Sequence, residues 1–459
     1  MIPNRPISGP WYELIWRRVA PTLLVLASST GAPTLASAGL FDAHMFQLSN
    51  GLQVVLIPDH RAPVATHMLW YRVGSADETP GQSGLAHFFE HLMFKGTTNY
   101  PGDAYLRLIG RAGGELNAFT SYDYTAYYAT VGTDSLDLVM ALEADRMMNL
   151  TLSEEKVQVE REVIVEERRL RTDTHPEALL HEQVMAAMFL NHRYGIPVIG
   201  WMHEIRSWTL EDVLAFYRRW YHPSNAMLVV AGDVTLERLQ TLTEKHYGML
   251  PPAPTGVRKR AIEPEHVAAR RVTMQDARIK HSLWMRLYLA PAYGTSEKHR
   301  TPAVEVLAEL LGGGPNSLLY THLARTLGLA AEVSVSYSPE AVDQTTLAIV
   351  AVPAPGVSVS DLEQAIEQEV TRIREGAIDT ADVQRARQKM RARAIRMRNG
   401  TMPAAQVVGA ALSTGATLEE MNTWPDRIGA VTGADVRVEA KAILRDEGSV
   451  TGVLVPKQE

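Results

Sequence analysis

From Met45 the chain alternates apolar and polar positions through Phe46-Gln47-Leu48, turns at Asn50-Gly51, and resumes with Leu52-Gln53-Val54-Val55-Leu56-Ile57. Period-two alternation around an Asn-Gly turn predicts a β-hairpin. Positions 64–73 read as a further strand, followed by a loop rich in glycine, serine and acids up to Gly84. The stretch 84–96 is apolar without proline or internal glycine and predicts a helix ending near Gly96. Positions 103–109 predict a second helix, Gly113-Gly114 a break, and the aromatic-rich 117–131 one long strand. Thr151-x-x-Glu154 has the form of a capping box opening a long helix that runs past Leu170. Helical patterns at 176–190 and 209–221 precede a buried-type strand at 226–231. This irregular succession predicts an α+β fold rather than a doubly wound sheet.

The stretch Pro251-Pro252-Ala253-Pro254-Thr255-Gly256 and the mixed-charge run to Arg271 have the composition of an exposed linker. Beyond it the same order returns: strands from 272 and at 282–289, a helix at 302–311, a glycine break, another helix, strands at 332–337 and 345–352, then helices. The two halves read as weak internal repeats. The domain limits are therefore 39–250 and 272–459, joined by 251–271.

Within 84–96, His87 and His91 are one helical turn apart and share a face, so both imidazoles can reach one Zn²⁺. Glu90, one residue before the second histidine, reaches an open metal position, the place for a general base acting on water. A catalytic zinc needs a third protein ligand, and the helix from Thr151 offers Glu154, Glu155, Glu160, Glu162, Glu166 and Glu167. Val157, Glu160, Val163, Ile164, Glu167 and Leu170 share one stripe, which puts two of these glutamates on the apolar face. The helix at 302–311 carries no histidine, so only the first half can hold the ion.

Composition narrows the chemistry further. The 459 residues are 46% hydrophobic and 21% charged, ordinary for a globular chain, and the net charge of −7 gives no basic footprint for nucleic acid. The absence of cysteine excludes disulfides, thiolate zinc sites and cysteine nucleophiles. Arg17-Arg18, an apolar run over 19–27 and Ala36-Ser37-Ala38 match a secretory signal (1–38) cleaved near Ala38, which predicts a periplasmic mature chain. No segment is long and apolar enough to predict a membrane span.

His87-x-x-Glu90-His91, Gly113-Gly114, Asn117-Ala118-Phe119-Thr120-Ser121, and Glu160-Arg161 with Glu167 seven residues on resemble the inverted-motif zinc peptidases, the family of pitrilysin, insulysin and the mitochondrial processing peptidase. The resemblance implies that His87, His91 and Glu167 bind zinc, that Glu90 is the base, and that Glu160 supports the site from behind the ligands. It also implies two homologous α/β-sandwich domains, with mixed or antiparallel sheets, forming one half of a clam-like chamber that cleaves extended peptides. The peptide substrate would add to an edge strand at 117–128, held at Asn117, Ala118 and Phe119. Relatives hold the substrate backbone with an arginine and a tyrosine seven residues apart; the matching positions here are Ala324 and Ala331. That implies a heterodimer in which a homologous subunit supplies the pair. The alternative is a non-catalytic peptide-binding or assembly subunit.

Overall fold

The structure, a computed structural model, describes residues 40–254, 258–398 and 400–457. The secretory signal read at 1–38 lies outside the described residues. Two sheets carry the fold. The first holds β1 (His44–Gln47), β2 (Gln53–Pro58), β3 (Val64–Tyr71), β4 (Glu115–Thr120), β5 (Thr125–Gly132) and β6 (Ala226–Gly232), in the order β1-β2-β6-β3-β5-β4. The second holds β7 (Arg270–Asp276), β8 (Leu283–Ala290), β9 (Ala330–Tyr337), β10 (Thr345–Pro353) and β11 (Ser449–Pro456), in the order β7-β11-β8-β10-β9. Set β1 aside and the two orders coincide strand for strand. The pairing senses coincide too: β2 with β6 and β7 with β11 are parallel, and the remaining pairs are antiparallel. The internal repeat is thus a repeat of topology.

Helices pack on both sheets, and each half lends one to the other. Helix α1 (Leu85–Leu92) and α2 (Glu154–Arg168) pack with the first sheet, whereas α3 (Pro176–Met188) crosses to lie on β7, β8 and β11. Gly452 on β11 makes room for it, since a Cβ there would meet Val184 Cγ2 at 2.5 Å. Helix α4 (Thr301–Gly312) occupies in the second half the place of α1. Returning from the second half, α5 (Thr401–Ser413) covers the far face of the first sheet, its Ala404, Ala405, Val408 and Ala411 packing with Val55, Met68, Trp70 and Val229. Gly409 lies so close to the Trp70 indole that no Cβ fits. This exchange ties the two halves through apolar burial.

Several boundaries differ from those the sequence predicts. The stretch 117–131 is not one strand but the hairpin β4–β5, turned at Ser121 to Tyr124 with Ser121 N donating to Tyr124 O at 2.8 Å. High β propensity on both sides hides the polar turn. Of the two strands of this hairpin, β4 is at the edge; Tyr127 and Tyr128 lie on β5, inside the sheet. Helix α1 ends at Leu92 rather than near Gly96, which sits at φ 93° against Gly102 and Pro101. The cap of α2 is Ser153, whose hydroxyl accepts from Lys156 N, not Thr151. On α2 the apolar stripe is narrower than its spacing predicts: Val157, Glu160 and Ile164 are buried, but Val163 and Leu170 are exposed. Leu170 lies two turns beyond Val163 on the same exposed side, in the π-helix Arg169–Asp173 that follows.

The segment 251–271 is not an exposed linker throughout. Arg258 donates to the carbonyls of Arg72 and Asp123, and Arg260 is buried in ion pairs with Asp77, Asp123 and Asp343. Its basic residues read as solvated because their acidic partners are remote in sequence. Among the described residues, no helix is long and apolar enough to cross a membrane.

Candidate metal centre

Helix α1 is held at its start, along its back and at its end. Gly84 adopts φ 91° where a side chain would strike the Ile199 carbonyl. The buried Glu78 carboxylate then accepts from Gly84 N and Ala86 N, both at 2.9 Å, satisfying two amides that the first helical turn leaves unpaired. Burial pushes Glu78 well above the ordinary carboxylate range, against the pull of those amides. Phe88 stacks on Trp208, Phe89 on Phe216 and Tyr217, and the Tyr127 hydroxyl donates to Phe89 O at 3.0 Å. With the apolar side fixed, His87 and His91 are forced to the other, their ring centroids 5.0 Å apart.

Helix α2 brings Glu167 to the same place. Its Oε2 lies 3.3 Å from His91 Nε2 and 3.8 Å from His87 Nε2, and one donor atom from each residue lies within 4.8 Å of the others. The other carboxylate oxygen, Oε1, is taken by Arg171 at 2.7 Å, so Oε2 is the one turned to the imidazoles. Behind His91, Glu160 Oε1 sits 2.9 Å from Nδ1, while its second oxygen pairs with Lys95. A carboxylate at Nδ1 fixes a proton there, so Nε2, which faces Glu167, is the nitrogen left to bind a metal. His87 Nδ1 is buried with no protein partner. Glu90 makes no hydrogen bond or ion pair among the described residues, although it weighs electrostatically on both histidines and on Tyr127 and Tyr221.

The ionisation pattern follows from this packing. Burial lowers His87, with Glu167 and Glu90 opposing. At His91 burial also works against the charge, but the bonds to Glu160 and Glu167 overcome it and hold the imidazole at about 9. Glu167 is raised by burial and pulled down further by His87 and His91, to about 2. Two imidazole nitrogens and one carboxylate oxygen mutually within 4.8 Å are a donor set that fits zinc. A divalent cation there would do more fully what the His91 proton does between two carboxylates.

The structure therefore brings His87, His91 and Glu167 together, with Glu90 and Glu160 beside them. Strand β4 packs along α1 through Ala118, which is buried in the same core. Asn117 and Phe119 alternate to the opposite face: Phe119 packs on Trp70, Tyr124 and Tyr128, and Asn117 Oδ1 accepts from Ala118 N at 2.8 Å. In the second half Ala324 lies in a π-helix, Tyr320–Thr326, rather than an ordinary one, and Ala331 is at the start of β9. Arg325 turns to the Tyr320 ring and Asn316, and the Tyr337 hydroxyl is bonded to Pro291 O at 2.6 Å.

Lys95, Arg171 and Glu78 went unread in the sequence. The first two follow His91 and Glu167 by four residues, the same one-turn rule that pairs the histidines, so that signal was present. Glu78 caps across a loop, which no local pattern records.

Residues 53–200 match the family described as Insulinase (Peptidase family M16), and residues 207–390 match the Peptidase M16 inactive domain. The chain belongs to the insulinase family of peptidases. Within it, the zinc protease PqqE of Helicobacter pylori is 34% identical over 335 residues, covering 71% of this chain and 73% of that protein. The crystal structure of a protease from Helicobacter pylori superposes with a TM-score of 0.84 at 28% identity, over 90% of this chain and 99% of that one. Pitrilysin shares the fold, with a TM-score of 0.76 at 18% identity over 91% of this chain but 45% of its own. Relatives in the insulinase family carry the description zinc protease, so the family implies zinc. The converging His87, His91 and Glu167, with Glu90 and Glu160 beside them, fall in the first matched segment; Ala324 and Ala331 fall in the second.

Proposed function

We propose that this chain is a zinc endopeptidase acting on extended or unfolded peptides, and that it is the metal-bearing member of a heterodimer. The observation that carries the reading is the convergence of His87, His91 and Glu167 beside an unbonded Glu90. Zinc held by those three residues would supply a Lewis acid for the scissile carbonyl and a lowered pKa for the attacking water. Glu90 accepts the proton of that water and delivers it to the leaving amine nitrogen. Glu160, charge-balanced by Lys95, keeps the His91 ring oriented, and Arg171 keeps Glu167 presenting a single oxygen. The free edge of β4 receives the peptide main chain as an added strand, so Asn117, Ala118 and Phe119 act through their backbone.

The partner completes what this chain lacks. Ala324 and Ala331 offer neither guanidinium nor phenol, and neighbouring Arg325 and Tyr337 are engaged within the second half. A homologous chain would supply an arginine and a tyrosine across a clam-like chamber; that pitrilysin is about twice as long supports a two-chain assembly. The pattern over residues 17–38 supports a periplasmic location. A second reading, a non-catalytic peptide-binding subunit, draws on the match to the inactive domain, but that match begins at residue 207 and holds none of the converging residues. Metal removal separates the two: dialysis against a chelator is expected to abolish peptide hydrolysis, and one equivalent of zinc to restore it. Hydrolysis that survives removal of all metal would sink the proposal.

A further inference from the structure

Arg260 connects three parts of the molecule that sequence keeps far apart. Its guanidinium donates from Nη2 to both oxygens of Asp77 at 3.0 Å, from Nε to Asp77 Oδ1 at 3.2 Å, and from Nη1 to Asp123 and to Asp343 Oδ2, the last at 3.2 Å. Asp77 precedes Glu78, the residue that caps α1. Asp123 stands at the tip of the β4–β5 hairpin, and Asp343 belongs to the loop joining β9 to β10 in the second half. The Asp77 and Asp123 side chains are 1% and 3% exposed, so neither carboxylate can turn to water if the cation is withdrawn.

Other bonds converge on the same tip. Asp123 Oδ2 accepts from the Tyr194 hydroxyl at 2.6 Å and from Val342 N at 3.0 Å, and Asp123 O accepts from Arg258 Nη2 at 2.6 Å. Ser75 N and Ala76 N donate to Ser121 O and Tyr122 O at 3.1 and 2.9 Å, and Gly74 lies so close to those carbonyls that no Cβ fits. The hairpin that ends in the edge strand is thus seated on the turn that caps the metal helix, with one buried guanidinium spanning both.

We propose that Arg260 and Asp123 are positioning residues that fix the register of edge strand β4 against helix α1, and so decide which peptide bond is presented to the metal centre. This rests on the reading that β4 receives the peptide. Without Arg260, Asp123 loses its cation and Asp77 keeps only Arg258 Nε at 3.4 Å, so the two buried carboxylates are under-compensated and the hairpin relaxes away from the capping turn. Because a strand slips in steps that restore side-chain facing, the scissile position then spreads to bonds two residues away.

The test uses the full zinc-loaded chain, with its partner where cleavage needs one. In Arg260→Gln and Asp123→Asn, amide hydrogen exchange over 115–124 is expected to quicken by about tenfold or more, while exchange in α1 and zinc content stay at wild-type values. Mass mapping of the products of one extended peptide is expected to show a dominant cut in the wild type and added cuts two residues to either side in both variants. Tyr194→Phe, which removes one bond to Asp123, gives the same changes in smaller degree and serves if the other variants do not fold. Unchanged exchange over 115–124, or an unshifted cleavage position in a variant whose hairpin has loosened, would overturn the proposal. The exchange arm needs no catalysis, so it decides the device even if the chain proves not to be a peptidase.

Discussion

Glu90→Gln is expected to bind zinc as the wild type does and to lose peptide hydrolysis by about 10²–10⁴-fold, the range a positioned general base contributes. The two effects separate because Glu90 is not among the residues whose donor atoms converge. Glutamine keeps the shape of the side chain but cannot take a proton from water. The substitution removes a charge that forms no ion pair, close to the Tyr127 and Tyr221 hydroxyls, so thermal stability should hold or rise. Rates on an extended fluorogenic peptide, measured beside zinc content and melting temperature, check all three expectations. Loss of zinc in this variant would make Glu90 a ligand, and full activity would remove it from the chemistry.

The second large effect is expected from complementation. A tetrahedral centre forming on the peptide carbon needs donors for its oxygen and anchors for the flanking backbone; losing such a donor costs about 10²–10³-fold. Position 324 lies on a π-helix whose neighbouring Arg325 rests on Tyr320, and the Tyr337 hydroxyl is bonded to Pro291 O, so neither of these two side chains stands free at the matching places. The isolated chain is therefore expected to bind zinc and cut peptides slowly, and a homologous chain carrying the arginine and tyrosine to raise the rate by that factor. Titrating such a chain against this one and following turnover checks it. Full activity of the isolated chain, with no gain on mixing, would mean that the two alanine positions are not a deficit.

Much of this was legible because the decisive signals are local. His87, Glu90 and His91 fall within one helical turn, and Glu160 and Glu167 are two turns apart on a single helix, so spacing alone puts each group on one face. Most of the repeated strand plan was legible for the same reason, since each strand carries its own period, but β11, the counterpart of β6, was not read as a strand. What escaped was long-range. The Ser121 to Tyr124 turn lies inside a run of strong strand formers, and its fixed point, Asp123, is bonded to Arg260, Tyr194 and Val342. The proline-rich and basic character of 251–271 reads as solvated until Asp77 and Asp123 are seen beside it. The exchange of α3 and α5 between sheets leaves no mark in either helix, because an apolar face does not name the sheet it covers.

The central claim is that His87, His91 and Glu167 hold one catalytic zinc, and a crystal of the zinc-loaded chain measured on both sides of the zinc absorption edge tests it most directly. One anomalous peak is expected, at roughly 2.0–2.2 Å from a ring nitrogen of His87, Nε2 of His91 and Oε2 of Glu167, with its remaining side open toward Glu90. No peak at that position, or a zinc held by other residues, would contradict the assignment.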